Sequence, residues 1–131
     1  MMTLQDAKDF FQNDRFATNM GIEIIEVGEG YAKCRLPVSD ALKNAGDSVQ
    51  GGALFTLADF AFAVAANLQG NLTVSVHNSI SFLKPSKGTM LFGEARVVSQ
   101  AKRMCFYEVS VTDELGTLVA TMTVTGYTKL P

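Results

Sequence analysis

Two glycines followed by an uninterrupted apolar run constrain this chain more than any other feature. After Gln50-Gly51-Gly52, the fourteen residues from Ala53 to Ala66 include only two polar ones, Thr56 and Asp59. Ala, Leu and Phe dominate the run, no Gly or Pro breaks it, and it is too long for an ordinary strand. It reads as a helix. Apolar residues on every side describe a helix enclosed by the fold rather than laid on its surface. At ~1.5 Å per residue it spans roughly 21 Å, short of the ~30 Å of a bilayer core. It is therefore expected in the core of the protein and not in a membrane.

Asp59 does not belong in such a helix on packing grounds. A carboxylate among apolar neighbours is costly unless it is paired, hydrogen-bonded or protonated. Two roles fit it equally from the helix alone. One is a packing role, with the carboxylate bonded to nearby backbone or to Thr56; the other is a pKa-tuned carboxylate at the edge of a pocket. The start of the helix bears on the choice. Gly51 and Gly52 leave bare backbone where N–H groups lack helical acceptors, so a ligand oxygen can approach closely. The helix dipole favours negative charge at that end. An anion-receiving end and one carboxylate on the same helix suggest acyl chemistry, although a plain turn also accounts for Gly-Gly.

The stretch from Asn44 to Asp59, NAGDSVQGGALFTLAD, resembles the signature of hotdog-fold acyl-CoA thioesterases of the phenylacetate-pathway (PaaI-type) branch. That signature has an Asn, His-Gly-Gly beginning six positions later, and Leu-Ala-Asp on the following helix. Gln50 stands where the family has His. The resemblance extends over nearly the whole chain. It implies an α+β fold in which a curved antiparallel sheet wraps a long central helix, paired into homodimers and often tetramers. It also implies hydrolysis of acyl-CoA thioesters without a cofactor, CoA being part of the substrate. Asn44 matches the family Asn that helps position the thioester carbonyl. Ser75 aligns with a residue that holds the attacking water in some relatives.

Composition narrows the alternatives. The 131 residues predict a single domain over residues 1–131, and 47% hydrophobic with 18% charged residues indicate a folded, rather apolar chain. A formal charge of −2 and the lack of a basic run argue against nucleic-acid binding. The first nine residues include acidic side chains and no apolar segment of signal-peptide length, so a cytoplasmic location is expected. Cys34 and Cys105 lack CxxC spacing and read as reduced thiols. His77, the single histidine, cannot form an imidazole metal cluster, and no nucleophile-elbow motif accompanies it. No metal is expected.

Along the chain, Leu4, Ala7, Phe10 and Phe11 at helical spacing predict a helix over Thr3 to Asn13 with Thr3 as cap. A loop from Asp14 to Asn19 follows. Gly21 to Val27 and Gly30 to Val38 read as a hairpin, the second strand alternating Ala32, Cys34 and Leu36 with Lys33 and Arg35. Ser39 to Gln50 is a loop, and the central helix ends between Asn67 and Asn71, with Gly70 as C-cap. Four strands follow, Thr73 to Lys84, Thr89 to Gln100, Met104 to Thr112 and Thr117 to Lys129. Their short connections predict an antiparallel meander. A helix apolar all round needs more cover than one curved sheet, and a second subunit would supply it.

Spacing gives the sharpest inference about the site. Gly51 and Asp59 lie about 12 Å apart along one helix, whereas a base must come within about 3 Å of the proton it takes. If both act, Gly51 of one subunit meets Asp59 of another, as two antiparallel helices across a two-fold axis would allow. The candidate catalytic residues are then Asp59 as general base or nucleophile, Gly51 as oxyanion donor, and Asn44, Gln50 and Ser75. Gly52 and the turn cations Lys84, Lys87, Lys102 and Arg103 are candidates for binding substrate, the cations through CoA phosphates. Because Gln50 cannot take a proton at neutral pH, an acyl-CoA-binding or regulatory protein with little turnover is the competing function. A hotdog dehydratase, which pairs His with a carboxylate, fits less well, and a ligand-free structural homodimer is the plainest alternative.

Overall fold

The computed structural model describes residues 1–130. Helix α1 (Leu4–Phe11) begins at Thr3, whose hydroxyl accepts from Asp6 N while the Asp6 carboxylate accepts from Thr3 N, both at 3.1 Å. This reciprocal box satisfies two donors that a helix start otherwise leaves open. Ala7 and Phe11 are the residues it buries. The expected loop at Asp14 to Asn19 is instead a short helix, α2 (Arg15–Asn19), capped by the Asp14 carboxylate accepting from Ala17 N at 3.2 Å. Five residues are too few to show a period, so only the cap could have signalled it.

Strands β1 (Glu23–Gly28) and β2 (Tyr31–Pro37) form the expected antiparallel hairpin around Glu29-Gly30. Ala32, Cys34 and Leu36 are fully buried and the residues between them are not, as period-two alternation requires. A loop containing one 3-10 turn (Asp40–Leu42) leads to the central helix α3 (Gly51–Asn67). Strands β3 (Leu72–Phe82), β4 (Met90–Gln100), β5 (Met104–Asp113) and β6 (Leu118–Lys129) complete one six-stranded antiparallel sheet in the order β1-β2-β4-β5-β6-β3. The sheet curves around α3, which rests mainly on β4 and β2 and also meets β3 and β5.

The meander expectation holds for β4, β5 and β6 but not for β3, which lies at the far edge beside β6. The segment after β3 is a crossover rather than a hairpin turn. Five of its backbone N–H groups find acceptors as it passes the ends of two strands. Leu83 and Lys84 N–H bond Val119 O, Lys87 and Gly88 N–H bond the Asp113 carboxylate, and Thr89 N–H bonds that of Glu114. Asp113 is 3% exposed and also accepts from Ser86 Oγ, Leu115 N and Thr117 N. Burial alone would raise its pKa; the N–H groups of Lys87, Thr117 and Leu115 outweigh that and hold it down to about 2.

Phe62 of α3 sits edge-on to Tyr107 at 5.2 Å, and Phe60 edge-on to Phe11 at 5.7 Å. Close approach of α3 to the sheet requires Gly126, where a Cβ would stand 2.9 Å from Phe62 Cζ and 2.6 Å from Cys105 Sγ. At the helix end, buried Asn67 donates to Ala63 O and Thr73 O and accepts from Thr73 N at 2.7 Å, tying β3 to α3. The C-cap is Leu68 rather than the expected Gly70, which follows two residues later in the left-handed region at φ +91. One stripe of α3 stays uncovered by the described residues. Gly52, Phe55, Thr56, Asp59, Ala63 and Ala66 are its exposed or partly buried positions, recurring at helical spacing. No described helix is long and apolar enough to cross a membrane.

Candidate active site

The first part of the site is the start of α3. Gln50 is its N-cap, with extended backbone (φ −64, ψ 143), and its carbonyl accepts from Ala53 N and Leu54 N. Gly51 and Gly52 precede those residues, and among the described residues their N–H groups have no acceptor. The Gln50 side chain makes no capping bond; its Oε1 lies over Gly52, 3.0 Å from where a Cβ would be. A Cβ at Gly51 would likewise stand 3.0 Å from Phe82 Cζ. The second glycine position is thus crowded by Gln50, and the first faces a groove shared with Asn44, Phe82 and Lys84.

Asn44 holds together the loop that delivers the chain to this point. Its Oδ1 accepts from Gly46 N at 2.9 Å and Ser48 N at 3.1 Å, and its own N–H bonds Ser48 O at 2.7 Å. Asp47, at the tip, has φ +64, within the small left-handed region that Asp tolerates. The loop is closed by Gln50 N–H on Leu42 O at 2.8 Å. With Oδ1 occupied by the loop, Asn44 Nδ2 remains as a side-chain donor on the same groove as Gly51.

The second part centres on Asp59, two turns further along α3 on the uncovered stripe. It is partly buried in a separate pocket with Asp14, Phe16, Phe55 and Phe60. Asn78 Nδ2 donates to its Oδ1 at 3.4 Å, and Ser75 approaches it from the same strand without forming a direct hydrogen bond. Burial pushes the Asp59 pKa up and the Asp14 charge adds to that, while Asn78 and Ser75 oppose it by favouring the ionised form. A carboxylate so placed is more basic than one in water.

Within one chain, then, Asn44, Gly51, Phe82 and Lys84 share one groove, while Asp59 lines another with no residue in common. The remaining cations divide as well. Lys84 and Lys87 lie before β4, and Lys102 and Arg103 lie after it, roughly 35 Å away along that strand. Lys102 lines a pocket at the C-terminal end of α3, and Arg103 Nη1 donates to Tyr127 Oη at 3.2 Å. One chain cannot bring all four to a single phosphate. Two residues near the site escaped the sequence reading, Asn78 and Asp113. A lone Asn in a strand and an Asp in a turn carry no local signal of what they reach.

The model of the thioesterase superfamily matches residues 46–120, more than half of the chain. The chain belongs to the thioesterase superfamily. It is 37% identical over 117 residues to the Escherichia coli acyl-coenzyme A thioesterase PaaI, covering 88% of this chain and 84% of that protein. The structure of E. coli PaaI superposes with a TM-score of 0.91 at 33% identity, covering 96% of this chain and 92% of the other. A Streptococcus mutans protein solved with acetyl CoA bound superposes with a TM-score of 0.78 at 26% identity, over 82% of this chain and 88% of that one. The fold is thus the hotdog of the PaaI-type thioesterases, and the reaction class is thioester hydrolysis.

Proposed function

We propose that this thioesterase hydrolyses acyl-CoA thioesters at a site completed by two copies of the chain. The Gly51 N–H and Asn44 Nδ2 of one copy receive the thioester oxygen, and Asp59 of the other acts as general base on water. The observation that carries this reading is the separation of the two functional groups. A basic, partly buried carboxylate and a pair of free N–H groups lie on one helix, about 12 Å apart, in pockets that share no residue. Neither is complete alone. A facing copy would also cover the open stripe of α3 and the apolar edge of β3, where Leu72 is 52%, Val76 57% and Phe82 55% exposed.

In this mechanism each oxyanion donor contributes roughly 3–4 kcal/mol to the transition state. The raised pKa of Asp59 keeps the base closer to the pH at which it works. Lys84, on the Gly51 groove, is the cation best placed for a CoA phosphate. The acetyl CoA held by the S. mutans relative supports the substrate class. Gln50 leaves a second reading, an acyl-CoA-binding protein with slow turnover, because it supplies hydrogen bonds but no titrating imidazole.

The test starts with thiol release from acetyl-, hexanoyl-, palmitoyl-, benzoyl- and phenylacetyl-CoA. Binding without release supports the second reading. Subunit mixing then tests the shared site. Asn44→Ala and Asp59→Ala are each expected to be inactive as homodimers. An equal mixture of the two makes about half the dimers mixed, each with one intact site, so roughly a quarter of wild-type activity returns. Verified mixed dimers that recover nothing would show that the two groups do not meet across subunits.

A further inference from the structure

Strand β3 contains one irregularity in its pairing with β6. Ser75 lies opposite Gly126, but His77 lies opposite Thr125, so one extra residue is accommodated between them. Such a bulge exchanges the side chains that face each side of the sheet. Before it, Thr73 and Ser75 are the more buried positions; after it, Asn78 and Ile80 are, and His77 is turned to solvent. Strict alternation from Ser75 would have turned His77 inward instead of Asn78.

Asn78 therefore reaches Asp59 and keeps one atom unused. Its Nδ2 donates to Asp59 Oδ1 at 3.4 Å, while its own Oδ1 is buried with no donor among the described residues. The reversed amide would set a carbonyl oxygen against an ionised carboxylate, two acceptors facing each other, so Nδ2 stays on Asp59. A buried carbonyl oxygen without a donor is unusual enough to require an explanation. Beside a general base the natural donor is water, which has two O–H groups to give.

We infer that Asn78 is a catalytic residue that holds the hydrolytic water on Asp59, its Oδ1 accepting one O–H while the carboxylate accepts the other. This rests on the reading of Asp59 as general base. In the step, the water oxygen bonds to the thioester carbon and the proton facing Asp59 passes to the carboxylate. The carbonyl π pair moves onto the oxygen, and the O–H held by Asn78 stays with the new tetrahedral centre. Collapse breaks the C–S bond, and Asp59 returns its proton to the departing thiolate, leaving acid and thiol. Among the described residues Asp14, the cap of α2, is the charged group facing Asp59; β3 presents to it the neutral Ser75 and Asn78.

The experiment measures kcat and KM across pH for Asn78→Ala and Asn78→Asp on the best substrate of the acyl-CoA panel, with Asp59→Asn as control. Asn78→Ala is expected to lower kcat at least tenfold with KM within about twofold, the range expected for a group that serves the reacting water. Its acid limb should move to higher pH, because the lost Nδ2 donor favoured ionised Asp59. Asn78→Asp keeps the side-chain volume and therefore remains informative if the alanine variant is unstable. Its second carboxylate should raise the acid limb by about one pH unit or more. Asn78→Ala with normal kcat, or Asn78→Asp with an unmoved acid limb, overturns the assignment while leaving Asp59 in place. Full turnover in Asp59→Asn would overturn the underlying reading instead.

Discussion

Asp113, at the end of β5, is 3% exposed and accepts five hydrogen bonds, four of them from backbone N–H groups. Asp59, in the middle of α3, accepts one, at 3.4 Å. Both carboxylates have left bulk water, and their pKa values move in opposite directions, Asp113 down to about 2 and Asp59 up. The number of donors decides the sign. Asp113 has exchanged water for a complete shell and is finished as a structural group. Asp59 has given up water without replacing it, and in the proposed mechanism that unmet demand for a proton is what makes it the base.

The largest effect expected from this contrast is on turnover. Asp59→Asn should lower kcat at least about a hundredfold while the chain stays folded. The same variant should be no less stable at neutral pH. A group whose folded pKa is raised contributes stability that is present below its ordinary 3.8 and is lost as pH rises through the folded value. Replacing it with a neutral amide removes that loss. A thermal melt beside the activity assay reads both, and a variant that is both active and destabilised would make Asp59 a packing residue.

Asp113→Asn should do the reverse. Its stabilisation is present above 3.8 and is lost as pH falls toward about 2. At neutral pH the variant should melt roughly 5 °C lower or more. Below pH 3 the gap to wild type should shrink, since wild-type Asp113 is then losing its charge as well. Activity should fall less than in Asp59→Asn, because only the crossover segment carrying Lys84 and Lys87 is loosened. An unchanged melting temperature would show that the five hydrogen bonds add nothing net.

The contrast also explains what the sequence could reveal. Helix α3 was legible, and the candidate groups on it stand out, because both are written locally: bare glycines, an apolar run and one carboxylate among apolar neighbours. Asp113 was not, because its donors come from both the Ser86 to Gly88 segment and the Leu115 to Thr117 turn. The place of β3 was lost for the same reason, since the Asp113 and Glu114 carboxylates satisfy a crossover whose composition looks like a turn. Asn78 was hidden by the bulge at Ser75 and His77, which reverses the alternation on which strand reading depends. Cys34 and Cys105, expected as reduced thiols, are free and buried.

The smallest effect is expected at Gln50, the clearest departure from the PaaI-type signature. Among the described residues its side chain has no hydrogen-bond partner and caps nothing, and its backbone alone starts α3. Stability should therefore be indifferent to Gln50→His. The amide Oε1 lies over Gly52, one residue from the proposed oxyanion donor, so an imidazole there would meet the substrate rather than the fold. Neutral imidazole has one N–H to donate against two on the Gln amide, but it adds positive charge when protonated, which favours an oxyanion. Turnover should stay the same or rise by a few fold, with any gain growing as pH falls toward about 6.5, the ordinary histidine value. Rates across pH 5.5 to 8 for both forms, with melting curves, provide the test. A large loss at unchanged stability would mean that Gln50 holds the thioester itself and that the glycine end has been rebuilt around it.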